Sequence, residues 1–573
     1  MAYIRKIKNR EGKEYIYLVE TYRDGDKVRS RTLKSYGRLE ELEKEEPGIY
    51  ERLKKEAKEG KLTGRDEEEL WVRYSTSHQA RANDLVYGWK ILDDIYEGLG
   101  ISQFIHQNQP KKFEADLNHI LKLLTFQRIL DPTSKLGTVR SQHQLFGNWS
   151  ISENAMYRSL KAFHALKGPL QRHIHHKITQ TIGRQGVLVF YDVTNYYFEI
   201  DMNDLDSLDE EGNILEEGLR KRGASKEYRP KPIIQMGLFM DMNGIPISYK
   251  LFKGNQTDPT TYLPAIEQVK EQFGLERIIV VADKAMNSKK NITATLKMND
   301  GWLFSQKHRG KRGAPKDIQS FLLDPAGWEF NESLTFAKKS MIRTRKLDQQ
   351  QEVQEKVLVT WSKKYADREK IRREGALEYA SKLTDAELFR QTAKKGGKKY
   401  LELKTLDSDT GELQPFAPFI AINTEEVDFD AQFDGMNVLV TSELEMSDEE
   451  MLASYRELSR IEDCFRVTKT EFNTRPVYVR KKEHIEAHFL TCFLSLVILR
   501  ILQYKSERKM SPHRMIQALN SAQAAPLTHG YYAIKLSDDL RKLQQMLGIE
   551  WDQELAKHEV LNQYAKGWFT TSK

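Results

Sequence analysis

Apolar and polar residues alternate over residues 14–37, as EYIYLVETY and VRSRTLKSYG around a DGDK turn. That alternation predicts a β-hairpin. Its second strand carries Arg29, Arg31 and Lys34, which read as a solvated edge. A charged helical stretch over 39–70 is interrupted at Pro47. Helical spacing then runs over 78–130, in LVYGWKILDDIYEGL and LNHILKLLTFQRIL. It stops at DPTSK (131–135), because Pro132 disfavours helix at Asp131. Helix resumes over 152–182 behind Ser152, an expected N-cap.

The pattern changes at Gly186. VLVFYDV (187–193) is a continuous apolar strand run closing on Asp192, and YYFEI (196–200) follows. IIQMGLFMD (233–241) and IPISYKLFKG (245–254) predict a hairpin about MNG. After a helix over 260–273, RIIVVAD (277–283) is a second wholly apolar run, closing on Asp283. A short helix over 288–298 leads to WLFSQK (302–307). Strands apolar on both faces are central ones, usually parallel and covered by helices. Chemistry in such sheets sits at the strands' carboxyl ends, which is where Asp192 and Asp283 are expected.

From 308 to 430 the chain is irregular and polar. The basic clusters KHRGKRGAPK, KKSMIRTRK, KKYADREKIRREG and KKGGKK are interleaved with strand-like VLVTW (357–361) and YLELKTL (400–406). FIAINT (419–424) and NVLVTS (437–442) return to strand character. A helix follows, with Ser447 as N-cap and acidic residues in its first turn. It is read as continuing through Tyr455–Lys469, YRELSRIEDCFRVTK. At about 100° per residue, Tyr455 lies about +20°, Arg466 about +40° and Lys469 about −20° from Glu462. Leu458, Ile461 and Phe465 form an apolar stripe alongside. Taken alone this is an ordinary amphipathic helix; the two aspartates give Glu462 a second meaning. Residues 483–504 predict a buried apolar helix and the remainder a polar helical tail.

Composition narrows the function. The 573 residues carry a net charge of +7, with 39% hydrophobic and 30% charged residues, as expected for a multidomain globular chain. The positive charge is clustered, which favours contact with DNA. Two cysteines, Cys464 and Cys492, build no disulfide framework and fit a reducing cytoplasm. The charged start is unlike a signal peptide. No Cys/His spacing suits structural zinc, and HIHH (173–176) scatters its rings around a helix. Walker A, GxGxxG and HExxH motifs are absent.

Asp192, Asp283 and Glu462 therefore form a candidate acidic triad. Three carboxylates held together repel one another unless cations intervene. Their hard oxygens suit Mg²⁺ or Mn²⁺, and two such ions about 3.5–4 Å apart can drive phosphodiester chemistry. Tyr455, Arg456, Arg466, Lys469 and Arg475 around the glutamate are candidate DNA contacts. Lys307 and Arg309, after the second aspartate's unit, join them, with Lys311, Arg312, Arg480, Lys481 and Lys482 nearby.

At these residues the chain resembles the DDE transposases of bacterial insertion sequences, in the group with the signature Y-x2-R-x3-E-x6-K. The resemblance rests on YDVTNYYFE, VVADKAMNS and IEDCFRVTK followed by RPVYV, and extends to DPTSK. Tyr455, Glu462 and Lys469 match the signature, whereas its arginine is Leu458 here. Arg456, Arg460 or Arg466 would have to replace it.

The resemblance implies an α/β fold with an RNase H-like, retroviral-integrase-type catalytic core and a β-rich insertion. Asp192, Asp283 and Glu462 would hold two Mg²⁺. The expected organisation is a hairpin and charged helix for DNA-end binding (1–75), then a helical DNA-binding region (76–185). The core would occupy 186–307 and 431–505, with the basic insertion at 308–430. The helical tail (506–573) would serve dimerisation. The implied function is transposition: binding terminal inverted repeats, hydrolysing phosphodiester bonds at the element ends, and joining the 3′-OH ends to target DNA. The expected assembly is a homodimer on double-stranded DNA, in the cytoplasm with the nucleoid. Some members hold a flipped base on a tryptophan, for which Trp302, Trp328 and Trp361 are the candidates. The alternatives are an RNase H-like nuclease without transposition, or a non-catalytic sequence-specific DNA-binding protein of transposase origin.

Overall fold

The computed structural model describes residues 2–9, 12–24, 27–59, 62, 84–184, 188–224, 230–310, 314–347, 351–381, 401–405 and 418–571. The chain divides into two compact units, Met1–Arg81 and Ala82–Lys573. Lys311, Arg312 and the KKGGKK cluster lie outside the described residues.

The first unit holds the expected hairpin, Glu14–Asp24 with Lys27–Arg38. A further strand, Ala2–Lys8, pairs antiparallel with its first member. Helices Leu39–Glu45 and Ile49–Lys58 follow on either side of Pro47, and the turn is completed by Gly48 at φ 87°. Ile16, Ile49 and Leu53 form the small core.

The second unit is organised on a nine-stranded mixed sheet. Five of its strands, in chain order, are Leu188–Tyr197, Ile233–Met240, Pro246–Lys253, Ile279–Ala282 and Gly301–Ser305. In space they lie in the order third, second, first, fourth, fifth. The first three are antiparallel neighbours, and the fourth is parallel to both the first and the fifth. This is the RNase H-like arrangement. Beyond the fifth strand the sheet continues through Met436–Thr441, Glu352–Ser362, Phe336–Lys346 and Glu329–Phe330, all antiparallel. Residues after 308 thus widen the central sheet, and they include helices Lys316–Leu323 and Lys363–Ser381 as well as strands.

Alternation along each central strand divides the core into two layers. Phe190, Val281 and Leu303 face one layer, with Ile461, Cys464 and Phe465. Val189, Tyr191, Val280, Ala282 and Trp302 face the other, with Tyr262, Ile266 and Ile292 from helices Asp258–Phe273 and Lys289–Lys297. The first layer also contains helix Lys482–Lys505, packed between the sheet and helices Leu117–Leu130 and Glu153–Thr181. Among the described residues it is the one helix long and apolar enough to cross a membrane, yet 94% of its apolar window is buried inside the fold. Its hydrophobicity is that of a central core helix.

Three expectations are corrected. Residues 84–130 are not continuous helix: strand Leu85–Val86 precedes helices Trp89–Gly98, Ile101–Asn108 and Leu117–Leu130. The tail is not wholly helical. Helices Pro512–Ser521 and Asp538–Leu547 alternate with strands Gln523–Pro526, Tyr531–Lys535 and Leu555–Lys557. These strands and Leu85–Val86 make a four-stranded sheet. Each strand is too short for its periodicity to register, and the partners come from opposite ends of the unit. The third correction concerns Asp192, which lies inside strand Leu188–Tyr197 rather than closing it.

Candidate active site

The neighbouring strand ends first. Strand Ile279–Ala282 pairs in parallel with Leu188–Phe190, Val281 opposite Phe190. Continuing that register by two residues sets Asp283 beside Asp192, both on the Phe190–Val281 face. Asp192 remains within the antiparallel ladder, opposite Leu238. Asp283 starts a turn in which its Oδ1 accepts the Ala285 N–H at 2.8 Å. The two carboxylates thus stand where the parallel strands part, on the face covered by the Glu462 helix.

The Tyr455–Lys469 stretch is two helices, Asp448–Arg456 and Ser459–Thr470. The first starts with a capping box between Ser447 and Glu450. Between them the backbone tightens. The N–H groups of Leu458, Arg460 and Ile461 donate to the carbonyls three residues back, at 3.1, 2.9 and 3.1 Å. Such a turn advances about 120° per residue, so a single 100° wheel does not carry across it. Leu458 is 7% exposed and packs with Ile461 and Phe465 in the core. The signature's arginine position is therefore an apolar anchor at the junction. Glu462 is exposed, one turn into the second helix.

Tyr455 lies within electrostatic reach of all three carboxylates. Burial raises its phenol above the ordinary range, a hydrogen bond with Ser305 opposes this, and Asp283, Glu462 and Asp192 each raise it further. Its ring is half-buried. Ser305 ends its strand beside the Asp283 turn, and Asn287 of that turn donates to the Ser305 carbonyl at 3.1 Å and to Gln306 at 2.9 Å. Arg345 completes the chain of bonds, donating to Asn287 at 2.7 Å and to the buried Glu355 at 3.2 Å. Strands that widen the sheet thereby brace the turn that carries Asp283. Asn287 belongs to VVADKAMNS, but nothing in the sequence pointed to Arg345 as its partner.

The candidate DNA contacts separate into distinct environments. Lys469 lies over the Tyr196 ring at 5.7 Å and Arg475 over the Tyr197 ring at 5.7 Å, both on the strand of Asp192. Lys307 and Arg456 are exposed. Arg466 is held by Asp463, at 3.0 Å through Nε and 2.5 Å through Nη2. Asp463 also meets Arg500 at 2.8 Å. Burial pushes the Asp463 carboxyl up, but the two arginines outweigh it and hold it low. Arg309 is engaged by Glu369, by the Phe433 carbonyl at 2.6 Å and by Asp434 at 3.6 Å. Arg460 pairs with Glu457 and donates to the Met242 carbonyl at 3.0 Å.

Trp302 is fully buried. Trp328 is partly buried beneath Lys339 at 4.7 Å, and Trp361 lies 6.4 Å from Phe330. The histidine cluster is structural: His173 bonds the Leu99 carbonyl at 2.9 Å, and burial, reinforced by Arg184, drives His175 down to about 3.

Among the described residues no three acidic, histidine or cysteine side chains close into a ready metal cage. The donor set still fits a hard cation. Mg²⁺ typically takes one or two carboxylates and completes its shell with water and substrate phosphates, and Asp192 and Asp283 offer adjacent carboxylates at an open edge.

Residues 4–69 match the family described as IS1634 family transposase, N-terminal domain. Residues 217–498 match the transposase DDE domain. That second span includes Asp283 and Glu462 and begins after Asp192. No curated protein matches the chain. Among solved structures, the chain is similar to a piggyBac transposase synaptic complex with hairpin DNA. Identity is 9% over 76% of this chain and 78% of that one, at a TM-score of 0.35. A pre-cleavage Mos1 transpososome matches at 10% identity over 34% of this chain and 59% of that one, at a TM-score of 0.14. At such scores the structural likeness is loose, and identity rests on the two family matches. The chain belongs to the DDE transposases of bacterial insertion sequences.

Proposed function

We propose that Asp192, Asp283 and Glu462 are the reacting centre of this transposase and bind two divalent cations, Mg²⁺ or Mn²⁺. The observation that carries the reading is the shared register of Asp192 and Asp283 on the face covered by the Glu462 helix, with Tyr455 feeling all three carboxylates. Bound there, the ions would activate the attacking oxygen and stabilise charge on the leaving one. The chain's own residues do the positioning. Tyr455, fixed by Ser305, presents its hydroxyl beside the carboxylates. Lys469 and Arg475, laid over Tyr196 and Tyr197, offer cations to phosphates of a strand running along this edge. Exposed Arg456 and Lys307 extend that surface, while Arg466 and Arg309 are committed to carboxylates.

The substrate is double-stranded DNA at the element's terminal inverted repeats. The products are nicked ends whose 3′-OH groups are joined to target DNA. Two copies of the chain act together in the synaptic complex, with the region after residue 506 contributing to their contact, in the bacterial cytoplasm.

The test is cleavage and joining of DNA carrying the flanking repeats, with Mg²⁺. Asp192→Asn, Asp283→Asn and Glu462→Gln should each lower cleavage by about 10³-fold or more, the scale of losing an essential catalytic group. Binding should survive. Full cleavage by any of the three sinks the assignment. Cutting without joining of precut ends leaves a nuclease only.

A further inference from the structure

The DPTSK stretch has no part in the centre described above. Pro132, Thr133, Ser134 and Lys135 instead line a cavity of about 990 Å³. Its other walls come from Arg128, Tyr157 and the connection after the Glu462 helix, which contributes Arg475, Arg480 and Lys481. Five cations thus line it, and the described lining residues include no carboxylate.

Lys135 is the unusual member. It is 4% exposed, and its Nζ has no hydrogen-bond partner among the described residues. Arg128 beside it spends Nη1 on the Phe472 carbonyl at 3.1 Å and Nη2 on the Thr133 carbonyl at 3.0 Å, leaving Nε unpartnered. Burial, and then Arg128, lower the Lys135 amine against a small opposing effect of Cys492, bringing it to about 7. A buried amine with no partner is costly, and an anion entering the cavity would remove that cost. The wall shared with the reacting edge sets the direction. Arg475 lines the cavity and lies over Tyr197, five residues past Asp192 on one strand, or about 16 Å. A DNA strand reacting at the carboxylates would pass Lys469 and Arg475 to reach it.

We propose that this cavity is a second phosphate site, which takes a backbone phosphate of the DNA strand leaving the reacting centre, with Lys135 as its buried anchor. The proposal rests on the assignment of that centre for its direction only. Lys135 does not touch the reacting atoms; it is a positioning residue that holds the strand's path.

The test compares wild type with Lys135→Met, a near-isosteric apolar replacement. Binding to a duplex carrying the flanking repeat is measured in EDTA, where no metal chemistry takes part. The variant should bind about 10-fold more weakly, as for the loss of a charged hydrogen bond. Its slope of log affinity against log salt should shrink by about 1. Its melting temperature without DNA should equal or exceed that of wild type. Inorganic phosphate, against chloride at equal ionic strength, should raise the melting temperature of wild type and not of the variant.

Unchanged affinity and slope overturn the proposal, as does a lower melting temperature of the free variant, which marks a structural lysine. Phosphate protection with unchanged DNA affinity makes the cavity a free-anion site and also overturns it. If Lys135→Met fails to fold, Lys135→Gln is read the same way. Failure of the reacting-centre assignment is separable: Asp283→Asn would then keep cleavage, whatever the EDTA binding shows.

Discussion

The two flanks of the proposed centre are both rich in cations, and they are built in opposite ways. On the flank that widens the sheet, Arg309, Arg343, Arg345 and Arg373 all meet carboxylates. Arg309 faces Glu369 and Asp434, Arg373 meets Asp434 at 2.6 Å, and Arg343 meets Glu355 at 2.8 Å and Asp317 at 3.0 Å. On the other flank, Arg128, Lys135, Arg475, Arg480 and Lys481 enclose a cavity whose described lining has no acid. Density of positive charge along the chain is therefore a poor guide to positive charge available for DNA. The clusters at 307–316 and 338–346 stand out in the sequence, yet their described arginines hold the sheet extension together. The DPTSK lysine is a single charge, and only the fold reveals that it is unpaired.

This contrast can be broken most forcefully at Glu355. The side chain is fully buried and serves both Arg343 and Arg345. Glu355→Ala removes the carboxylate that Arg343 and Arg345 share, leaving Arg343 to Asp317 and the partly buried Arg345 to Asn287, and should cost about 3 kcal/mol of stability, read by denaturant unfolding. DNA affinity per folded molecule should hold. An unfolding curve like that of wild type would show this flank to be no staple.

A smaller effect is expected at Leu458. Restoring the family's arginine there removes a buried leucine, a loss of about 2–3 kcal/mol before any cost of burying charge. Leu458→Arg should therefore melt earlier and cleave no faster. A variant of unchanged melting temperature and raised cleavage would show that the junction has room for the missing cation.

The finest comparison pairs one cation from each flank. Arg309→Ala should lose about 1–2 kcal/mol of stability, the scale of a partly buried charged hydrogen bond, with its salt slope in DNA binding unchanged. Arg480→Ala, exposed at the cavity mouth, should melt as wild type does and lose about one unit of salt slope. Exchanged outcomes would reverse the roles of the two flanks.

The same contrast marks what was legible in advance. Wholly apolar runs meeting aspartates are a local signal, and the strand that contains Asp192 does lie beside the strand that leads into Asp283. Ser152 and Ser447 show the same locality: both cap helices as their position before an apolar-periodic stretch implies. The break at Leu458 was hidden because Glu457 and Leu458 both keep right-handed backbone angles and ordinary helix-compatible side chains. Arg345 could not be matched to Asn287, since that meeting depends on sheet order across a long stretch of chain. The pairing of Leu85–Val86 with Gln523–Pro526 was beyond reach for the same reason.

The widening of the sheet has one more consequence. Strand Met436–Thr441 has neighbours on both sides, Gly301–Ser305 and Glu352–Ser362, and its Val438, Leu439 and Val440 are buried. Excising the segment after residue 308 would turn this strand into a bare, sticky margin, the kind that recruits foreign strands and precipitates. The insertion thus acts as a selvedge. A minimal catalytic core cut from this chain would need a new hem sewn along that side before it could stay in solution.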